Sequence, residues 1–260
     1  MKSNRLISTL TAGVLALGLT SFTAQAADVL RVGVEGAYKP FSWKEADGTL
    51  KGFDIEIAEA VCAKLKRECK LVEQDWDGMI PALLSKKFDV IIASMSITEE
   101  RRKRVDFTDK YYQTPAKIVS KKGSGLEVSA SGLKGKRIGV QRGTTHQCFM
   151  EKMYPDAEIV MYATQEEVFQ DLAIGRIVGQ ISDSIAADDG FLKTDAGKDF
   201  EFTGPDLNDQ ECHGEGAGFA VRKEDSKLRM QLNEAIKAIR ADGSYQKINA
   251  NYFDFDIFGG

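Results

Sequence analysis

PALLSKKFDVIIASMS, residues 81–96, reads as a helix end, a basic turn and a buried strand that stops in small polar residues. FQDLAIGRIVGQISDS, residues 169–184, passes through the same parts in the same order. Upstream, RVGVE at 31–35 is echoed by RIGVQ at 137–141. Either echo alone is a short match that chance supplies often. Both together, in one order, predict two similar lobes.

Between these landmarks apolar strand-like runs alternate with helical patterns, which predicts an α/β fold. Leu30–Val34, Leu71–Glu73 and Val90–Ala93 are the strands of the first half; Trp76–Ser85 is a helix. Phe53–Leu65 is an amphipathic helix with apolar residues at 53, 57, 58, 61 and 65. YYQTPAKIVSKKG, 111–123, is a crossing into the second lobe. The Gly-rich HGEGAGFAVRK brings the chain back, and a long helix from Asp225 to Ala241 and the tail YFDFDIF then pack on the first lobe. The expected division is 27–113 with 217–260 for lobe 1, 117–207 for lobe 2, and hinge crossings at 114–116 and 208–216. Two crossings make a hinge, with a ligand cleft between the lobes.

The first residues fix the compartment. Lys2 and Arg5 precede an apolar core from Leu10 to Leu19 and the small-residue site Ala24-Gln25-Ala26, the layout of a secretory signal peptide cleaved after Ala26. No cysteine follows that core, which argues against a lipid anchor. The formal charge is −4, and loss of Lys2 and Arg5 with the leader takes it to −6. An exported acidic chain is a poor nucleic-acid binder despite the run Arg101-Arg102-Lys103-Arg104. An oxidising compartment lets the four cysteines pair. A Cys62–Cys69 bridge would close a short helix-to-strand loop. Cys148 and Cys212 pair by default, but the sequence leaves three connectivities open, and two free thiols remain the alternative.

Ligands of open α/β sheets lie beyond the carboxyl ends of the strands. Those ends carry Glu35 and Tyr38, then Ser94 and Ser96, then Arg142 to Thr145, then Asp183, with Arg101 just past Ser96. Arg101 offers a planar fork for a carboxylate. Gly143-Thr144-Thr145 opens a helix whose N–H groups could meet the same carboxylate, and Asp183 could take an ammonium group. Tyr38 and Trp76 could flank a long aliphatic stem whose cationic tip reaches Glu35. Taken singly, Arg101 is equally a surface ion pair, with Asp106 for example, Thr145 a helix cap, Asp183 a turn residue, and the two rings core aromatics. Together they describe a site for a cationic amino acid: arginine, ornithine, lysine or histidine. His146 and His213 are the only histidines and no cysteine pair has metal-ligand spacing, so no metal or cofactor is expected. HGEGAG lacks the strand–loop–helix context of a phosphate loop.

The stretches RVGVEGAYKPF, GFDIEIAEAVCAKL, DWDGMIPALLSKKFDVIIASMSIT, VDFTDKYY, LKGKRIGVQRGT, GFLKTDAGK and DGSYQKINANYFDFDI resemble the periplasmic solute-binding proteins of polar amino acid ABC transporters, solute-binding protein family 3, and within them the lysine/arginine/ornithine- and histidine-binding group. The resemblance spans essentially the whole mature chain. It implies the hinged two-lobe type II periplasmic binding fold, a monomer without enzymatic activity, an inner-membrane ABC permease as partner, and the Cys62–Cys69 bridge. It places ligand contacts on Glu35, Tyr38, Trp76, Ala93, Ser94, Ser96, Arg101, Thr145, His146 and Asp183. Arg101 and the Thr145 amide would hold the α-carboxylate; Asp183 and the 94–96 strand end would hold the α-ammonium. Three residues depart from the group. Ala93 replaces a serine, His146 replaces a glutamine found in some relatives, and Val178 replaces an acidic residue after Gly175-Arg176. The competing reading from another class is an enzyme on this scaffold, such as a dehydratase of a small carboxylated substrate, with Glu35 and His146 as its acid–base groups. A receptor serving a sensor would use the same residues.

Overall fold

The structure is a computed structural model that describes residues 28–259, so the leader assigned to residues 1–26 lies outside the described residues. The first lobe is built on β1 (Val29–Val34), α1 (Phe53–Leu65), β2 (Glu68–Glu73), α2 (Met79–Leu84), β3 (Val90–Ile91), α3 (Glu99–Arg102) and β4 (Asp106–Tyr112). The chain then crosses to β5 (Ala116–Lys121), β6 (Arg137–Gln141), α4 (Thr145–Met153), β7 (Glu158–Tyr162), α5 (Gln165–Ala173), β8 (Gly179–Asp183), α6 (Ser184–Ala187) and β9 (Phe200–Leu207). After α7 (Gln210–His213) it returns with β10 (Ala217–Val221), α8 (Ser226–Ala241) and α9 (Ser244–Tyr252).

The strands form two five-stranded sheets of the same plan, β2-β1-β3-β10-β4 and β7-β6-β8-β5-β9. In each, the first three strands are parallel and the fourth runs against them. That reversed strand is the one arriving from the other lobe: β10 in the first sheet, β5 in the second. The outermost strand beside it, β4 or β9, is the one that departs. The two crossings are therefore built into equivalent edges of the two sheets.

The RVGVE/RIGVQ echo has a steric cause. Gly33 and Gly139 are the central residues of RVGVE and RIGVQ, in β1 and β6, and a Cβ at either would strike a neighbour. At Gly33 it would stand 2.6 Å from the Phe88 ring, and at Gly139 it would stand 2.4 Å from Ile177. Phe88 and Ile177 each lie just upstream of the third strand of their sheet. A missing side chain on the first strand thus admits a bulky one that anchors the third. The two lobes solve one packing problem with one residue pair.

Lobe 1 packs α1 and α8 on one face, where Phe41, Phe53, Tyr111, Tyr112, Tyr245 and Phe253 form an aromatic centre that includes the tail. The other face carries α2, with Met79, Leu83, Phe88 and Phe107. α1 matches its expected span, which its apolar positions set, and it stops at Lys66 in the left-handed conformation. Gly214 and Gly216, in the second crossing, have φ of 72° and 103°; side chains there would run into the backbone carbonyls of Ile97 and Tyr112. The glycines of HGEGAG are thus needed for the turn and its close approach. Where the sequence suggested only a flexible crossing, a short helix, α7, precedes them.

The sulfurs of Cys62 and Cys69 are at bonding distance, as are those of Cys148 and Cys212; Cα separations are 5.5 Å and 5.6 Å. The free-thiol alternative for the second pair is thereby set aside. This bridge joins α4 to α7, fastening the returning crossing to lobe 2.

Candidate functional site

One cavity of about 400 Å³ lies between the sheets, and all ten sequence-selected residues line it: Glu35, Tyr38, Trp76, Ala93, Ser94, Ser96, Arg101, Thr145, His146 and Asp183. Strand ends supply most of them, as the packing of open sheets dictates. Glu35 follows β1, Ser94 and Ser96 follow β3, and Asp183 ends β8. Trp76 opens a single helical turn after β2, and Thr145 is the first residue of α4.

Arg101 is held in place by three uncharged contacts. The guanidinium Nη1 donates to the Ser96 carbonyl (2.9 Å), Nη2 donates to the Gly143 carbonyl of the other lobe (3.3 Å), and the fork lies 5.2 Å from the Trp76 ring centre. Asp106, the ion-pair partner considered from the sequence, instead faces Arg229. Among the described residues no carboxylate pairs with Arg101. Burial lowers its pKa to about 10, so it remains charged at neutral pH. An oriented, half-buried cation without a counter-ion demands an anion from the ligand.

The opposite charges are concentrated elsewhere in the same cavity. Asp183 caps α6: its Oδ1 accepts from the backbone N–H groups of Ile185 (2.8 Å) and Ala186 (3.4 Å), and its Oδ2 accepts from the Thr114 hydroxyl in the first crossing. Burial nevertheless raises its pKa to about 6, those hydrogen bonds opposing the rise. Glu35 is raised to about 7, mainly by burial, and accepts a 2.5 Å hydrogen bond from Gln141 Nε2. Among the described residues neither carboxylate pairs with a cation. The Asp183 cap, read from the sequence as a turn alternative, does not exclude a ligand role, because a carboxylate carries more acceptor sites than the cap consumes.

Ser94 lines the cavity, but its hydroxyl is engaged within lobe 1. The residue has φ of 54°, and its Oγ donates to Asp54 Oδ2 (2.8 Å) while its N–H donates to the Tyr111 hydroxyl (3.0 Å). Tyr111 in turn donates to Asp54 Oδ1 (2.7 Å). Asp54, buried and raised to about 7 by that burial, is a fixture that holds the strand end in an unusual turn. It sits inside the helix signature GFDIEIAEA, where an acidic residue in the first turn reads as an ordinary helix start. Nothing in the pattern marks it as a buried anchor.

His146 lines the cavity with its ring 5.7 Å from that of His213, which itself packs 5.0 Å from Phe149. Burial, reinforced by the nearby His213 and Arg101 charges, holds His146 well below the usual 6.5, so it is neutral at physiological pH. The cavity also gathers Thr144, His213, which the sequence raised only as a metal ligand, and Gln141, which sequence reasoning passed over. The RVGVE/RIGVQ echo held the signal for Gln141, since it stands where Glu35 stands.

Residues 30–255 match the bacterial extracellular solute-binding proteins, family 3. The chain belongs to that family. Family 3 relatives include the L-arginine-binding protein of Pseudomonas aeruginosa, 49% identical over 250 residues that cover 95% of this chain and 96% of that protein. The histidine-binding periplasmic protein of Salmonella typhimurium is 42% identical over 251 residues, 95% of this chain and 96% of that one. Among solved structures, a Salmonella typhimurium periplasmic binding protein described for high arginine specificity superposes with a TM-score of 0.81 at 33% identity, covering 87% of this chain and all (100%) of that one. Family membership and the two-sheet plan together establish the two-lobe binding-protein fold.

Proposed function

We propose that this family 3 protein captures a cationic L-amino acid in the periplasm by closing its lobes around it, and delivers it to an ABC importer in the inner membrane. The observation that carries this reading is one interlobe cavity holding Arg101 at one place and two carboxylates, Asp183 and Glu35, at others, none of them with a charged partner among the described residues. A ligand that neutralises all three carries an α-carboxylate, an α-ammonium and a cationic side chain. In this reading Arg101 and the N-terminus of α4 at Thr145 take the carboxylate, Asp183 the ammonium, and Glu35 the side-chain tip. Tyr38 and Trp76 bound the stem, Ala93 contributes only backbone, and Ser94, Ser96 and His146 complete the walls.

The hinge is assigned to residues 114–116 and 208–216, between lobes 27–113/217–260 and 117–207. The leader is removed after Ala26 and the mature protein works as a monomer. Relatives named for arginine and for histidine binding support a basic ligand. Binding rather than turnover is favoured because the two candidate acid–base groups are engaged separately, Glu35 with Gln141 and His146 against His213. Calorimetric titration with the proteinogenic amino acids and ornithine tests the proposal. Heat with basic members and none with acidic or apolar members is expected; no heat with any basic amino acid removes it.

A further inference from the structure

We infer that Gln141 completes a two-lobe acceptor pair with Glu35 that selects a guanidinium tip over an ammonium tip. The inference rests on the proposed function and specifies the ligand of that site. Glu35 ends the RVGVE segment of lobe 1 and Gln141 ends the RIGVQ segment of lobe 2, so the two side chains are related by the internal repeat. They meet across the cleft: Gln141 Nε2 donates to Glu35 Oε1 at 2.5 Å and to the Ala163 carbonyl at 3.2 Å. Both residues are buried, with 7% of Glu35 and 2% of Gln141 exposed, and both line the cavity.

The two donor contacts fix which way the amide faces, because the carboxylate and the carbonyl both require the NH2 end. They leave two oxygens, Glu35 Oε2 and Gln141 Oε1, without a protein donor among the described residues. Gln141 already takes one acceptor site of Oε1, so Oε2 is the freer oxygen of Glu35. A guanidinium can place one N–H on Glu35 Oε2 and another on Gln141 Oε1, satisfying both orphan acceptors in one plane. A lysine or ornithine ammonium is a compact donor on a differently sized stem, and its N–H groups diverge tetrahedrally instead of forming the planar fork of a guanidinium. The neighbouring residues act in the same direction. Arg142 Nε donates to Asp77 at 2.7 Å and the Gly143 carbonyl accepts from Arg101, so residues 141–143 of lobe 2 engage lobe 1 three times in succession. The selecting pair is therefore assembled only when the lobes meet.

The test is titration of the mature protein and of Gln141→Leu and Gln141→Met with L-arginine, L-lysine and L-ornithine. The wild-type protein should prefer arginine over lysine by about tenfold or more, the worth of one hydrogen bond to a charged group. Both variants should lose most of that preference, through weaker arginine binding, while thermal melting confirms that they fold. Wild-type protein that binds basic amino acids without favouring arginine overturns the inference, as does an unchanged arginine-to-lysine ratio in a folded variant. Wild-type protein that binds no basic amino acid overturns the proposed function itself.

Discussion

The Arg101 guanidinium lies 5.2 Å from the centre of the Trp76 ring. Both residues belong to lobe 1, so the cation is oriented before any ligand arrives. The Trp76 ring and the Ser96 carbonyl, both of lobe 1, hold the guanidinium from two sides. The sequence suggested Trp76 as a wall for the ligand stem; it also supports the carboxylate-binding cation. Arg101→Ala should therefore lower affinity by about 100-fold or more, about 3 kcal/mol, the scale of truncating one partner of a buried charge pair. Circular dichroism should be unchanged, since among the described residues Arg101 forms no salt bridge. Trp76→Leu should weaken binding less, by about tenfold, because the charge remains and only its stacking is lost. Calorimetry on the two variants checks both figures.

Burial gives the site a pH signature. Glu35 is raised to about 7 and Asp183 to about 6, so each holds protons in the empty cleft that it must release to pair with a cation. Affinity should be full above pH 7 and fall as pH drops through 7 and then 6. Titrations at pH 6 in buffers of different ionisation enthalpy should show net proton release on binding. For the empty protein the sign is opposite. Carboxylates with raised folded pKa values bind more protons than the unfolded chain, so their contribution to stability declines as pH rises from about 4.5 to 7. His146 and His213 are lowered by burial and act against this, losing stability as pH falls below 6.5. The ligand-induced rise in Tm removes that background and should grow from pH 5 to pH 7.5.

The two disulfides should differ in worth. Cys148 and Cys212 are 64 residues apart and Cys62 and Cys69 are 7 apart, so the first bridge restricts the unfolded chain more. The chain-entropy estimate is about 4 kcal/mol for the long loop and about 2 kcal/mol for the short one. Cys148→Ser/Cys212→Ser should lower Tm further than Cys62→Ser/Cys69→Ser. It should also weaken ligand binding, because α7 and His213 lose their fastening to α4; melting curves and titrations of the two double variants separate these effects.

Arg142 and Asp77 form an exposed ion pair between the lobes. In the open protein it would be solvated and worth little, and its contribution appears only on closure. Arg142→Ala should raise the ligand dissociation rate a few-fold, roughly 0.5–1 kcal/mol, with little effect on Tm of the empty protein. The wild-type rate should approach that of the variant at high salt, measured by stopped-flow fluorescence of Trp76.

The architecture was legible because packing imposes periodicity on residues. The Gly33 and Gly139 positions, the apolar spacing of α1 and the small polar ends of β3 all state their surroundings in one dimension. Glu35, Arg101 and Asp183 were legible as charges at or near strand ends, whereas Ala93 and His146 entered only through the family resemblance. What was hidden were relationships across space. Ser94 looks like a ligand hydroxyl until Asp54, distant in sequence, is seen to engage it. Gln141 looks like any strand residue until it meets Glu35. The pairing of Cys148 with Cys212 depends on α7, a helix of four residues too short to leave a periodic trace.

In the proposed site, charges from both lobes grip the two ends of a zwitterion while a third reads its side chain. Titrating the mature protein with L-arginine, agmatine and 5-guanidinopentanoic acid tests it most directly, since the last two lack the carboxylate and the amine respectively. Arginine should bind tightly, and each truncated compound should lose about 100-fold or more. Agmatine binding as tightly as arginine would show that Arg101 does not hold a carboxylate, and the account would be wrong.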